Sequence, residues 1–336
     1  MTRINRSSIR RVAAIGTLTL VSALGACQDD APSPVAPASD PVAAKTGAGK
    51  GSTIETVLLT GTRNGNADIY AMNPDGSNIR RITTDTLADR SPSFAPGNRR
   101  IVWVRVSDKG SQLFTANPDG SKETPLTPLQ PEVAVNNPRY SPDGTKIAFE
   151  MTARDSAGPV KGAINTDIYV INADGSGLTR LTYETSEDRQ PAWSPDGQTI
   201  AFASDRYVSG YMSIYAMTAG GLNVRNLIGC DQNCLEPEYS PDGTKVAFAS
   251  AADGMIEVLT VVGAPSVVGV GPRPDAGASR HPTWSKDGSR VLFASDRGFE
   301  RTMELYAGTP GSSDPASVRR LTVFSPDVAE SPSHSR

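Results

Sequence analysis

Short apolar runs recur throughout residues 54–336, and almost every one is joined to the next by a polar turn rich in Pro, Asp and Gly. In residues 190–206, Pro191-Ala192-Trp193 enters the turn Ser194-Pro195-Asp196-Gly197 and Ile200-Ala201-Phe202-Ala203 leaves it. Pro presets φ at the first central position, Asp can hydrogen-bond the turn backbone, and Gly accepts positive φ. The pattern therefore predicts an antiparallel β-hairpin.

The same unit surrounds Tyr140-Ser141-Pro142-Asp143-Gly144, followed by Ile147-Ala148-Phe149, and Tyr239-Ser240-Pro241-Asp242-Gly243, followed by Val246-Ala247-Phe248. Trp284-Ser285-Lys286-Asp287-Gly288 is a variant, and Phe94-Ala95-Pro96-Gly97 a degraded copy. Glu330-Ser331-Pro332-Ser333-His334 repeats the start of the unit at Arg90-Ser91-Pro92-Ser93-Phe94. The anchors Phe94, Tyr140, Trp193, Tyr239, Trp284 and His334 are spaced by 46, 53, 46, 45 and 50 residues.

Between these hairpins lies a second kind of hairpin, turning at Asn73-Pro74-Asp75-Gly76, Asn117-Pro118-Asp119-Gly120 and Asn172-Ala173-Asp174-Gly175. Each is preceded by a short strand such as Asp167-Ile168-Tyr169 and followed by an outer strand ending in Ile82-Thr83, Leu126-Thr127, Leu181-Thr182, Leu227-Ile228 or Leu321-Thr322. Four strands per unit at this period predict an all-β propeller, because a lone four-stranded sheet cannot bury both faces. The fifth unit is weaker: strands are expected at 255–260 and in the Val/Gly/Pro stretch to Pro274, without the Asp-Gly turn.

The first residues have a different character. Arg3, Arg6, Arg10 and Arg11 precede an apolar run at 12–23, and Leu24-Gly25-Ala26-Cys27 follows. A basic segment, a short apolar core and small residues describe a secretory signal; the core is too short for a comfortable membrane span. Leu-Gly-Ala-Cys resembles the bacterial lipobox, which implies a signal at 1–26 and lipidation of Cys27. An ordinary cleaved signal is the alternative. Gln28 in place of Asp points towards the outer membrane. Residues 27–53, rich in Ala, Pro, Ser and Gly, read as a flexible tether to a propeller at 54–336.

Without the signal, 29 basic residues face 36 acidic ones, a net charge of −7. A mildly acidic chain argues against nucleic acid as a partner. Cys230 and Cys234, in a loop of an exported protein, are expected to form a local disulfide, with free thiols as the alternative.

The run of Ile-Ala-Phe, Ser-Asp-Arg, Asp-Ile-Tyr, Asn-x-Asp-Gly, Arg-Leu-Thr and Pro-x-Trp-Ser-Pro-Asp-Gly resembles the repeat of TolB-type β-propellers across residues 54–336. TolB itself carries an α/β domain before its propeller, so the resemblance is to the repeat. It implies that the Pro-x-Trp segment is innermost and the Leu-Thr segment outermost. The chain then enters on the second strand of a blade whose inner strand comes from the C-terminus, giving six blades and a closed ring.

That order places the Asp-Gly turns on one face of the disc and the remaining loops around the channel mouth on the other. The mouth gathers Asp89, Arg90, Asn136, Asn137, Asp188, Arg189, Gln190, Glu236, Arg280, His281 and Glu330, with Arg206 and Arg297 in the second set of loops. Convergent polar groups around a concave opening are candidates for binding. Because Ser-Asp-Arg recurs, Asp205-Arg206 and Asp296-Arg297 read equally as inter-blade salt bridges. His281 and His334 occupy different places in their units and suggest neither a metal site nor another cofactor.

No Gly-x-Ser-x-Gly elbow occurs, so the chain is similar to the propeller of prolyl-oligopeptidase-like enzymes without their hydrolase domain. These readings describe a non-catalytic, lipid-anchored envelope protein with a monomeric propeller that binds an envelope protein or peptide through the mouth. It meets the membrane through the lipid anchor only. The alternative is a carbohydrate-active lyase or hydrolase using mouth-face carboxylates and His281.

Overall fold

The computed structural model describes residues 56–63, 65–154, 162–208, 210–272, 277–297, 303–322 and the backbone of 328–334. The expected signal at 1–26, Cys27, the tether to residue 53 and the side chains of Glu330 and His334 lie outside these residues. Among the described residues, no helix is long and apolar enough to cross a membrane.

Six four-stranded antiparallel sheets form the ring. The inner strands of blades 2 to 6 are Ala88–Phe94, Ala134–Tyr140, Asp188–Trp193, Cys234–Tyr239 and Ser279–Trp284. Blade 1 is assembled from both ends, with Val57–Arg63 pairing on one side with Asn66–Met72 and on the other with Val328–His334. Each inner strand contacts those of the blades on either side, and Val328–His334 touches the inner strands of blades 6 and 2. The ring therefore closes without an unpaired inner edge.

The second strand of every blade is buried on both faces, since it lies inside its own sheet and between two neighbours. Trp103, Phe149, Phe202, Phe248 and Phe293 occupy one register position there and are fully buried. Burial of a side chain of this size stabilises by about 1.5–3 kcal/mol. Each adjoining pair of blades shares an apolar cluster, such as Val57, Leu59 and Tyr70 of blade 1 with Leu292 and Leu305 of blade 6.

The outer strands are shorter than the pattern implies. Those of the first three blades are only Arg80–Arg81, Thr124–Pro125 and Thr179–Arg180, so Ile82-Thr83 and its counterparts fall beyond the strand. The reason is that the Thr side chain takes over from the ladder: Thr83, Thr127, Thr182 and Thr322 each accept from a third-strand N–H at 2.9–3.0 Å. In three blades the residue before that N–H is a buried carboxylate holding the outer-strand arginine: Asp68 with Arg81, Asp167 with Arg180, and Glu304 with Arg320 (2.7–2.8 Å). The Asp-Ile-Tyr and Arg-Leu-Thr motifs are two halves of one lock.

The Ser-x-Asp-Gly turns repeat a single geometry. Ser194 Oγ donates to Asp196 Oδ1 (2.6 Å), Asp196 Oδ1 accepts from Gln198 N, and Gly197 N donates to Ser194 O. The Ser285 and Ser289 contacts of the equivalent turn lower the Asp287 carboxyl to about 2. The glycines of the second turn set work between blades. A Cβ on Gly76, Gly120, Gly175 or Gly221 would stand 2.0–2.9 Å from the carbonyl oxygen of Leu321, Ile82, Leu126 or Leu181 in the preceding blade. Gly76, at φ +88°, lies on the seam with blade 6. Gly76→Ala is therefore expected to cost about 2–4 kcal/mol from combined strain and overlap. Gly65→Ala, with φ +79° but open space around it, should cost only about 1 kcal/mol. Urea midpoints of the two variants test this, and equal losses would remove the inter-blade role.

Candidate functional site

The mouth is shaped by one backbone event repeated in the inner strands of blades 2 to 6. Pairing with the second strand shifts between Arg90 and Ser93, Asn136 and Arg139, Arg189 and Ala192, Leu235 and Glu238, and Arg280 and Thr283. Two residues oppose one at each shift: a residue with φ between 49° and 59°, followed by Pro. Pro disfavours the right-handed helical region for the residue before it, and the bulge takes up the left-handed one. The residues so placed are Ser91, Asn137, Gln190, Glu236 and His281.

A bulge frees a backbone N–H from the ladder, and here the freed groups tie blade to blade. Ser91 N donates to Thr60 Oγ1 (3.1 Å) and Gln190 N to Glu150 Oε2 (2.8 Å), the acceptors standing at one register position of the preceding second strands. Blades 4 and 5 have Ala203 and Ala249 at that position, which carry no acceptor. The bulge side chains supply it instead: Glu236 N donates to Gln190 Oε1 (2.9 Å) and His281 N to Glu236 Oε2 (2.5 Å). His281 Nδ1 also lies 3.0 Å from Glu236 Oε1. With the Asn137 side chain on Glu150, one hydrogen-bonded arc runs from Asn137 through Glu150, Gln190 and Glu236 to His281.

Glu150 is the member of the arc that the sequence reading missed. It is buried, and desolvation raises its pKa against the opposing pull of the Gln190 N–H. Its only sequence signal is a carboxylate following Ile147-Ala148-Phe149 where other units carry a small or apolar residue. One step towards the turn face, Arg139 of blade 3 reaches Glu238 of blade 5 (3.8 Å) past Ala192 of blade 4.

The residue before each bulge forms an outer set: Arg90, Asn136, Arg189, Leu235 and Arg280. Arg90 and Arg280 are exposed, whereas Arg189 is engaged by Glu187. Between blades 5 and 6 the mouth opens into a cavity of about 540 Å³. Glu236, Asp253 and Arg280 supply its charge, and the rest of its wall is mostly small side chains and backbone.

Asp205-Arg206 and Asp296-Arg297 are not inter-blade salt bridges. Arg206 turns back within blade 4 to Asp188, with two contacts of 2.8 Å, and Asp205 accepts from Glu187 N. Asp296 accepts from Ala278 N, and Arg297 reaches Ser279 and Ser295. The intervening side chains explain this: each guanidinium lies over the aromatic pair of its own blade, which directs it away from the neighbour. Arg206 is thereby consumed in the fold. Asp89, fully buried, is likewise held by Arg105 at 2.8 Å. Cys230 and Cys234 are joined by a disulfide at the blade 4 to blade 5 crossing. Among the described residues, no group of three or more His, Cys, Asp or Glu side chains is arranged to hold a metal ion.

Residues 130–262 match the family model described as the TolB beta propeller domain. The uncharacterized peptidase YuxL of Bacillus subtilis is 32% identical over 95 residues, covering 28% of this chain and 14% of the relative. The Tol-Pal system protein TolB of Anaeromyxobacter dehalogenans is 31% identical over 129 residues, covering 38% of this chain and 27% of the relative. The chain thus spans under a third of the length of either. Among solved structures, TolB from Acinetobacter baumannii superposes with a TM-score of 0.55 at 17% identity, over 83% of this chain and 66% of that one. At that identity the likeness is one of fold.

Proposed function

We propose that this TolB-type propeller is a non-catalytic binding platform of the cell envelope that docks a protein or peptide segment at the channel mouth. The observation that carries the reading is the mouth cavity between blades 5 and 6, lined by the bulge residue Glu236, which His281 contacts, and by exposed Arg280. The inter-blade arc pre-orders these groups, so docking loses little conformational entropy. Exposed Arg90 lies at the same register position two blades away around the closed ring and extends the basic rim. The similarity to TolB proteins supports an envelope location. Anchoring through lipid on Cys27, at the outer membrane, is part of the same proposal and rests on the sequence of the leader.

Affinity capture from detergent-solubilised envelopes tests the reading, comparing the full chain with an Arg90→Ser, Arg280→Ser variant. Both side chains are exposed, so the fold should tolerate the change. A protein retained by the native chain and reduced at least ~10-fold with the variant is the expected result, the loss of about 1.4 kcal/mol or more of binding. Equal recovery with both, or none with either, would end the docking assignment for this face.

A further inference from the structure

Three blades lay a guanidinium over the aromatic pair that joins their second and third strands. Arg105 Cζ lies 4.5 Å from the Phe114 ring centre and 5.9 Å from that of Trp103. Arg206 lies 5.3 and 5.1 Å from Phe202 and Tyr215, and Arg297 lies 4.8 and 5.5 Å from Phe293 and Tyr306. Blades 2 and 4 neutralise the cation with a fully buried aspartate near the start of the inner strand, Asp89 or Asp188.

Blade 6 repeats the polar frame of blade 4 but leaves out the charge. Arg206 Nε donates to Ser204 Oγ (2.9 Å), and Arg297 Nε to Ser295 Oγ (3.2 Å). Asp188 pairs in register with Ser204, and Ser279 pairs with Ser295. Where Arg206 Nη2 meets both oxygens of Asp188, Arg297 Nη2 meets only the hydroxyl of Ser279 (3.0 Å). Among the described residues, no carboxylate pairs with Arg297.

A largely desolvated cation without a counter-ion is unfavourable. Burial moves the Arg297 pKa down. At Arg105 burial acts in the same direction, but the hydrogen bonds it donates to Asp89 and Glu123 outweigh it and hold the pKa above the ordinary value. The serine side chain ends one bond short of an aspartate's carboxylate oxygens, and Ser279 forms part of the wall of the mouth cavity. Ser279 therefore touches both the cavity and the uncompensated guanidinium.

We propose that Arg297, with Ser279 and Ser295, binds a carboxylate that enters from the cavity between blades 5 and 6 and takes the place filled in blade 4 by the side chain of Asp188. The site does not depend on docking at the rim, since none of its three residues belongs to the outer arginine set.

Thermal unfolding of the full chain in sodium formate, compared with the bulky sulfonate MES at equal ionic strength, reads the site directly. The midpoint should be higher in formate by about 2–4 °C at ~10 times the dissociation constant. Arg297→Gln should abolish the difference. Ser279→Asp should also abolish it while raising the midpoint in MES, because the carboxylate is then built in. Asp188→Ser should lower the midpoint in MES and enlarge the response to formate by creating a second site. Adding N-acetyl-aspartate amide separates the sources: protection by formate alone assigns a free small anion, and protection by both admits an acidic side chain of a peptide. A native midpoint that ignores formate overturns the proposal, as does a response that survives Arg297→Gln. So does a response that appears only in Asp275→Asn or Glu300→Gln, since the chain then supplies its own carboxylate.

Discussion

Arg105→Met is expected to destabilise the propeller by about 3–5 kcal/mol, because it leaves Asp89 buried without its cation. Adding Asp89→Val to that variant should recover most of the loss, although it removes a second native side chain. The reason lies in the next blade, where Val135 pairs in register with Met151 at the positions of Asp89 and Arg105. Blade 3 thus performs with two apolar residues what blade 2 performs with an ion pair. Urea unfolding of the two single variants and the double variant forms a cycle, with an expected coupling of at least ~2 kcal/mol. Simple additivity would mean that the buried pair is not a unit. The guanidinium also packs over Phe114 and contacts Glu123, so recovery should be large but incomplete.

Ending the chain after Thr322 should have an effect of similar size by a different route. It removes Val328–His334, the strand that pairs with Val57–Arg63 and completes blade 1. The remaining edge would present unpaired N–H and C=O groups to the channel, and the inner strands of blades 6 and 2 would lose the neighbour between them. The expected outcome is a thermal midpoint at least ~10 °C lower together with concentration-dependent association through the open edge. Light scattering coupled to size exclusion checks the second part. A truncated chain that stays monomeric with an unchanged midpoint would show that the ring holds without its closing strand.

Both experiments act on features of different visibility in the sequence. The closing strand was legible because Glu330-Ser331-Pro332-Ser333 repeats the inner-strand pattern Arg90-Ser91-Pro92-Ser93. The pairing of Asp89 with Arg105 was not. Asp89 read as one polar group among many at the mouth, and Arg105 lies at the end of an apolar run. Only the register of the two strands sets them face to face. Glu150 escaped notice for the same reason. Gln190, Glu236 and His281 were visible as polar residues before proline, but their role as successive links was not, since each contact spans 40 to 46 residues.

The chain by itself determined the class of fold, the number of blades, the face on which turns gather and the manner of closure. These follow from local chemistry repeated at a fixed period: turn residues that admit one backbone path, and apolar segments that bury only against a neighbouring copy. Tertiary structure decided which polar groups remain available. Strand pairing within blade 4 turned Arg206 and Asp188 into an ion pair, while blade-to-blade contact drew Gln190 and Glu236 into the inter-blade arc and left Arg280 exposed beside a cavity. A charge becomes structural or free according to what stands at the same register of the facing strand, and that is set by strand pairing and ring closure.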